Sequence, residues 1–179
     1  MTPTAILEKA RQLMRDENWN EAIELLRRHE MEFPEHAEFA SCFGWSHFKL
    51  DHDEAAARWM ERCVELKPAS AKYRWALGEA LARGERVAEA EHQLLLSLAM
   101  KDSYLARTGL AFLLLRTGRA AEAEAVHQES IRLRPDDGRR VGAYADFLSD
   151  RGREKEAEPY YARARTAERP DDDDTATRG

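Results

Sequence analysis

FGWSHFKLDHDEAAARWMERCVELKP, from Phe43 to Pro68, reads as two amphipathic stretches around a short polar turn at Asp51–Asp53. GLAFLLLRTGRAAEAEAVHQESIRLRP, from Gly109 to Pro135, carries the same pattern: Gly44 answers to Ala111, His47 to Leu114, Ala56 to Ala123, Cys63 to Ser130 and Pro68 to Pro135. Small residues at matched places on two successive helices let the helices approach closely, and larger ones fill the space left. Proline ends such a unit because it cannot continue a helix and restrains the residue before it.

Working outward, the alanine recurs as Ala22, Ala56, Ala90, Ala123 and Ala157, at spacings of 34, 34, 33 and 34 residues. Twelve residues before each stands Ala10, Gly44, Gly78, Ala111 or Ala145, and three beyond those lies an inward column of Leu13, His47, Leu81, Leu114 and Leu148. The second stretches carry a large column of Leu26, Met60, Leu94, His127 and Tyr161. A small column follows at Cys63, Ser97, Ser130 and Ala164, with His29 the exception. Twelve residues after each alanine come Pro34, Pro68, Asp102, Pro135 and Arg169. Gly118 and Gly152 fall in turns, where a left-handed residue ends a helix. One helix pair cannot bury its own apolar face, so such repeats stack on their neighbours.

This pattern resembles the tetratricopeptide-repeat family over residues 3–170. The resemblance implies an all-α fold, an α-α superhelix (solenoid) of five tandem helix-turn-helix repeats. We place the repeats at 3–36, 37–70, 71–103, 104–137 and 138–171, with 172–179 expected as a disordered acidic tail. Two departures stand out: Arg74 and Arg107 replace the family's tryptophan near the start of the first helix, and Lys9 replaces a core aliphatic.

Composition supports helices and narrows function. Hydrophobic residues make up 43 % and charged residues 35 % of 179, with only 9 Gly and 6 Pro to interrupt helices. The formal net charge is −6, of which Asp171, Asp172, Asp173 and Asp174 supply −4, so the remainder is near balance. That argues against nucleic acid or an anionic membrane as partner. The start, MTPTAILEKARQLMRDE, has no secretory pattern, and no apolar run approaches the roughly 18 residues of a membrane span. A cytoplasmic location is expected, with Cys42 and Cys63 as apolar fillers.

No catalytic motif, phosphate loop or metal-ligand spacing occurs, and no cofactor or metal is expected. His47 and His127 fall in packing columns; His47 and His52, five apart, do not share a helix face. The acidic residues spread over exposed second-helix faces, as in EAIELLRR, so no enzyme is expected.

In the family the first helices line a concave surface that commonly binds extended peptides. On the matching positions stand the aromatics Trp45, Phe48, Trp75 and Phe112, and a basic row of Arg15, Lys49, Arg83 and Arg116. Aromatic residues dominate binding hot spots. These residues predict a groove for a protein segment with apolar anchors and acidic groups or a terminal carboxylate, unless the aromatics only pack between repeats. Arg11, Trp45 and Glu79 stand where the family's carboxylate-clamp subgroup has asparagines, which argues against a chaperone-tail adaptor. Opposite, Leu95 and Leu96 are apolar where other repeats are mostly polar, which reads either as a second contact surface or as plain exposed surface. The expected function is an interaction scaffold or adaptor. Alternatives are a secretion-type chaperone or an obligate assembly subunit, homodimeric included, with RNA binding disfavoured by Glu79, Asp146 and Asp150.

Overall fold

The computed structural model describes residues 2–167. The expected acidic tail, together with Arg169 and Pro170, lies outside them. The described residues form ten α-helices and one 3-10 turn, with no strand among them. The helices are α1 (Pro3–Arg15), α2 (Trp19–Arg27), α3 (Ala37–Lys49), α4 (Asp53–Leu66), α5 (Ala71–Arg83), α6 (Val87–Met100), α7 (Tyr104–Arg116), α8 (Ala120–Leu133), α9 (Gly138–Asp150) and α10 (Glu154–Thr166). They fall into two compact units, divided between Met100 and Lys101. Within the first unit each helix packs on the next and α1 also meets α3; within the second, α7 to α10 do likewise and α7 meets α9.

The small columns are where the helices touch. Ala22, Ala56, Ala90 and Ala123 are completely buried and Ala157 nearly so. At Gly78 even a methyl group is too much: a Cβ there would stand 2.7 Å from Leu94 Cγ and 3.3 Å from the Ala90 carbonyl oxygen. The large column fills the space beside them, with Leu26, Met60 and Leu94 fully buried.

Every turn inside a repeat is built alike. Glu17, Asp51, Glu85, Gly118 and Gly152 are left-handed, with φ between 59° and 79°. The next N–H in each case, from Asn18, His52, Arg86, Arg119 or Arg153, donates back to the carbonyl of Leu13, His47, Leu81, Leu114 or Leu148. This six-to-one bond satisfies a carbonyl that the helix end leaves open. The two glycines adopt the conformation freely, whereas the three acidic residues hold it at a steric cost.

The starts of the first helices share a second device. The side chains of Thr2, Ser70, Ser103 and Asp137 each accept a backbone N–H from the first turn of the helix that follows. His36 holds the same place before α3 without capping it, and its buried Nδ1 has no hydrogen-bond partner.

The second helix of the first repeat departs from the others. Helices α4, α6 and α8 have 14 residues, while α2 stops after 9 and gives way to the 3-10 turn Glu30–Glu32. In the second and third repeats the small column holds a compact donor: the Cys63 thiol donates to the Ala37 carbonyl at 3.5 Å and the Ser97 hydroxyl to that of Ala71 at 2.8 Å. In the first repeat His29 holds that place: α2 ends two residues before it, and its ring turns to Glu32 at 2.9 Å.

In the second unit, the aspartate that replaces a proline has a structural use. Asp102 bonds Arg107 and pairs with the buried Arg140 at 3.0 Å. Arg140 also meets Asp137 at 3.4 Å and donates to the Ser130 hydroxyl at 3.1 Å. Burial raises both carboxyls, yet Arg107 and Arg140 hold Asp102, and Arg139 with a smaller contribution from Arg140 holds Asp137, below the usual carboxylate range.

Candidate functional site

Helices α3 and α5 bring three of the four predicted aromatics together in the first unit. Trp45 and Phe48, one turn apart on α3, meet edge to face with centroids 5.4 Å apart and an interplanar angle of 77°. Trp75, on α5, lies 5.5 Å from Trp45 at 43°. Trp45 and Phe48 are half-buried and Trp75 is buried, so the rings pack on one another and still leave aromatic surface open.

The basic row is largely engaged with its own chain. Arg83 stacks over the Phe48 ring at 4.3 Å and donates to the Phe48 carbonyl at 2.8 Å. It also pairs with Asp51 and, at 3.1 Å, with Asp53. Arg15 bonds Gln12, and Lys49 sits 5.9 Å over the Trp19 ring. For Arg83, an acidic ligand competes with two aspartates already in place.

Glu79, one turn after Trp75 on α5, has the opposite situation. Among the described residues it has no ion-pair partner, and burial pushes its carboxyl up to about 7. The buried Trp75 indole N–H makes no well-formed hydrogen bond, yet it lies close enough to oppose that rise. In the sequence Glu79 is an acidic residue in the same column as Trp45, a departure from a known clamp that also disfavours RNA.

In the second unit, Phe112 is 60 % exposed on α7, with Arg116 over its ring at 5.9 Å. On α6, Leu95 is 49 % exposed, Leu96 is half-buried, and Met100 adds 45 % exposure at the helix end. A cavity of about 530 Å³ opens where α2 stops short, lined by Met31, Phe33, His36, Phe39, Phe43 and Trp59. Phe43 and Trp59 stack there at 4.2 Å.

His47 and His52 come together although they share no helix. The turn after α3 folds back and sets their Nδ1 atoms 3.2 Å apart, so that one ring donates to the other. No group of three potential metal ligands surrounds them or occurs elsewhere among the described residues. His127 is buried against Tyr144 and Phe147 in the second unit, and burial lowers it to about 4. Cys42 and Cys63 are buried, which pushes their thiols up to about 11 and 12 and leaves them poor nucleophiles. No helix among the described residues is long and apolar enough to cross a membrane.

No family model matches the chain, and no curated protein sequence matches it. Solved structures do. TTC0263, a thermophilic TPR protein of Thermus thermophilus, is similar at 20 % identity and a TM-score of 0.75, over 99 % of this chain and 97 % of that one. Pseudomonas aeruginosa pilF is similar at 17 % identity and 0.74, over 94 % and 77 %. MamA is similar at 19 % identity and 0.68, over 86 % and 90 %. At such identities the likeness speaks for fold, and it agrees with the repeat period, the buried small columns and the helix pairs. The chain has the tetratricopeptide-repeat fold.

Proposed function

We propose that the chain is a non-enzymatic scaffold that holds a segment of a partner protein on the first-helix face of its first unit. The observation that carries this reading is the cluster of Trp45, Phe48 and Trp75, with two of the three rings left partly open to solvent. Open aromatic surface on a rigid helical support loses little conformational freedom on binding, which is why such residues dominate interaction energies. The fold supports the same reading, since stacked helix pairs present extended surfaces suited to binding. Quantitative affinity capture with the intact chain and with Trp45→Ala tests it: the specific partner is recovered by the first and lost by the second, whereas equal recovery refutes it.

A second reading is an assembly subunit that joins a complex, or a second copy of itself, through α6. It rests on Leu95 and Met100, both close to half exposed on one helix. Leu95→Glu with Leu96→Lys then lowers the mass found by sedimentation equilibrium, and an unchanged mass and unchanged partners remove this reading.

A further inference from the structure

Resting on the groove reading above, we infer that the face formed by Trp45, Trp75 and Glu79 takes a cationic side chain, a lysine or arginine, from the partner segment. Arg83 is balanced by Asp51 and Asp53, and Arg11, which stands in the column of Trp45 one repeat earlier, is paired with Glu38 at 2.5 Å. Glu79, in the same column one repeat later, has no cation beside it among the described residues. Lys49 lies over the Trp19 ring, away from Glu79's helix, and Glu79 is a carboxyl without a cation among the described residues, half-buried rather than extended into water.

Aromatic surface adds to the charge. A cation over an indole or phenyl face is attracted by the ring quadrupole, most strongly where water is partly excluded. The protein already uses this chemistry at the same cluster, since Arg83 occupies one face of Phe48 at 4.3 Å. Trp45 is partly open, Trp75 has its centroid 5.5 Å from it, and Glu79 stands one helical turn after Trp75 on α5. An incoming ammonium or guanidinium would find an indole beside it and a carboxylate to pair with. Ionising a carboxyl at this depth costs free energy that the arriving charge restores, so recognition favours a basic residue over a neutral one of equal size.

An unbiased choice of ligand tests this. A random dodecapeptide display library is panned on the intact chain, and selected peptides are resynthesised with each basic residue replaced by norleucine. The expected result is a lysine or arginine at one fixed position beside an apolar residue. Its replacement weakens binding tenfold or more to the wild type but less than threefold to Glu79→Gln, which must keep wild-type helical content. Peptides that lose binding to Trp45→Ala but carry neutral or acidic residues at that position overturn the cation site and leave the groove standing. Peptides indifferent to Trp45→Ala, or no enrichment at all, overturn the groove and the cation site with it.

Discussion

If Glu79 is held on the binding face at the expense of stability, removing its charge must stabilise the first unit, and only at pH values where the charge exists. In the unfolded chain the carboxyl titrates near 4.5; in the folded chain burial moves it to about 7. Between those values the folded state binds more protons than the unfolded one, so this residue's contribution is fully present below 4.5 and is lost as pH rises through 7. At about 1.4 kcal/mol per pH unit the loss is at most about 3 to 4 kcal/mol, and nearer 2 kcal/mol once solvent reaching the face screens the charge. Glu79→Gln keeps the shape and removes the titration. It should be more stable than wild type by about 2 kcal/mol at pH 8 and equal to it at pH 4. The tryptophans give a local reporter, since all four, Trp19, Trp45, Trp59 and Trp75, lie in the first unit. Urea unfolding followed by their fluorescence at the two pH values measures the difference. A gap independent of pH, or a glutamine variant less stable at pH 8, refutes the reasoning.

His127 makes the mirror-image case in the second unit: buried and lowered from 6.5 to about 4, it contributes stability above 6.5 that is lost as pH falls toward 4. His127→Leu, matching Leu26 and Leu94 in its column, should protect α8 at pH 5, read as slower amide exchange than wild type. Gly78→Ala places a methyl against Leu94 and should cost roughly 1–3 kcal/mol in the same fluorescence assay, through overpacking. Glu85→Gly relieves a left-handed residue whose side chain is exposed and should raise stability by about 0.5–1 kcal/mol, a higher urea midpoint.

The ten helices were legible because close packing forces small residues into register, and Ala22, Ala56, Ala90, Ala123 and Ala157 show that register at every repeat. Turn chemistry was half legible. Gly118 and Gly152 signal the left-handed residue by type, while Glu17, Asp51 and Glu85 do so only by standing in the same column. The capping column of Thr2, Ser70, Ser103 and Asp137 could have been found in the same way, just ahead of each first helix. His29 announced the early end of α2 by breaking a column of small residues, though a misfit in sequence does not say which way the chain yields. The state of Arg83 was hidden because its aspartates lie 30 and 32 residues earlier, brought to it by stacking rather than helical spacing. His47 and His52 were hidden too: a helix-face argument does not apply across a turn.

The central claim is that Trp45 belongs to a binding face, and the affinity of the captured partner for wild type and for Trp45→Ala tests it most directly. Titration calorimetry should show a loss of about 2 kcal/mol or more, roughly thirtyfold, as for other aromatic residues at the centre of an interface. Circular dichroism measured alongside should show helical content close to wild type, because the ring packs at a face and not in the buried small columns. Full affinity in the Trp45→Ala protein would contradict the account.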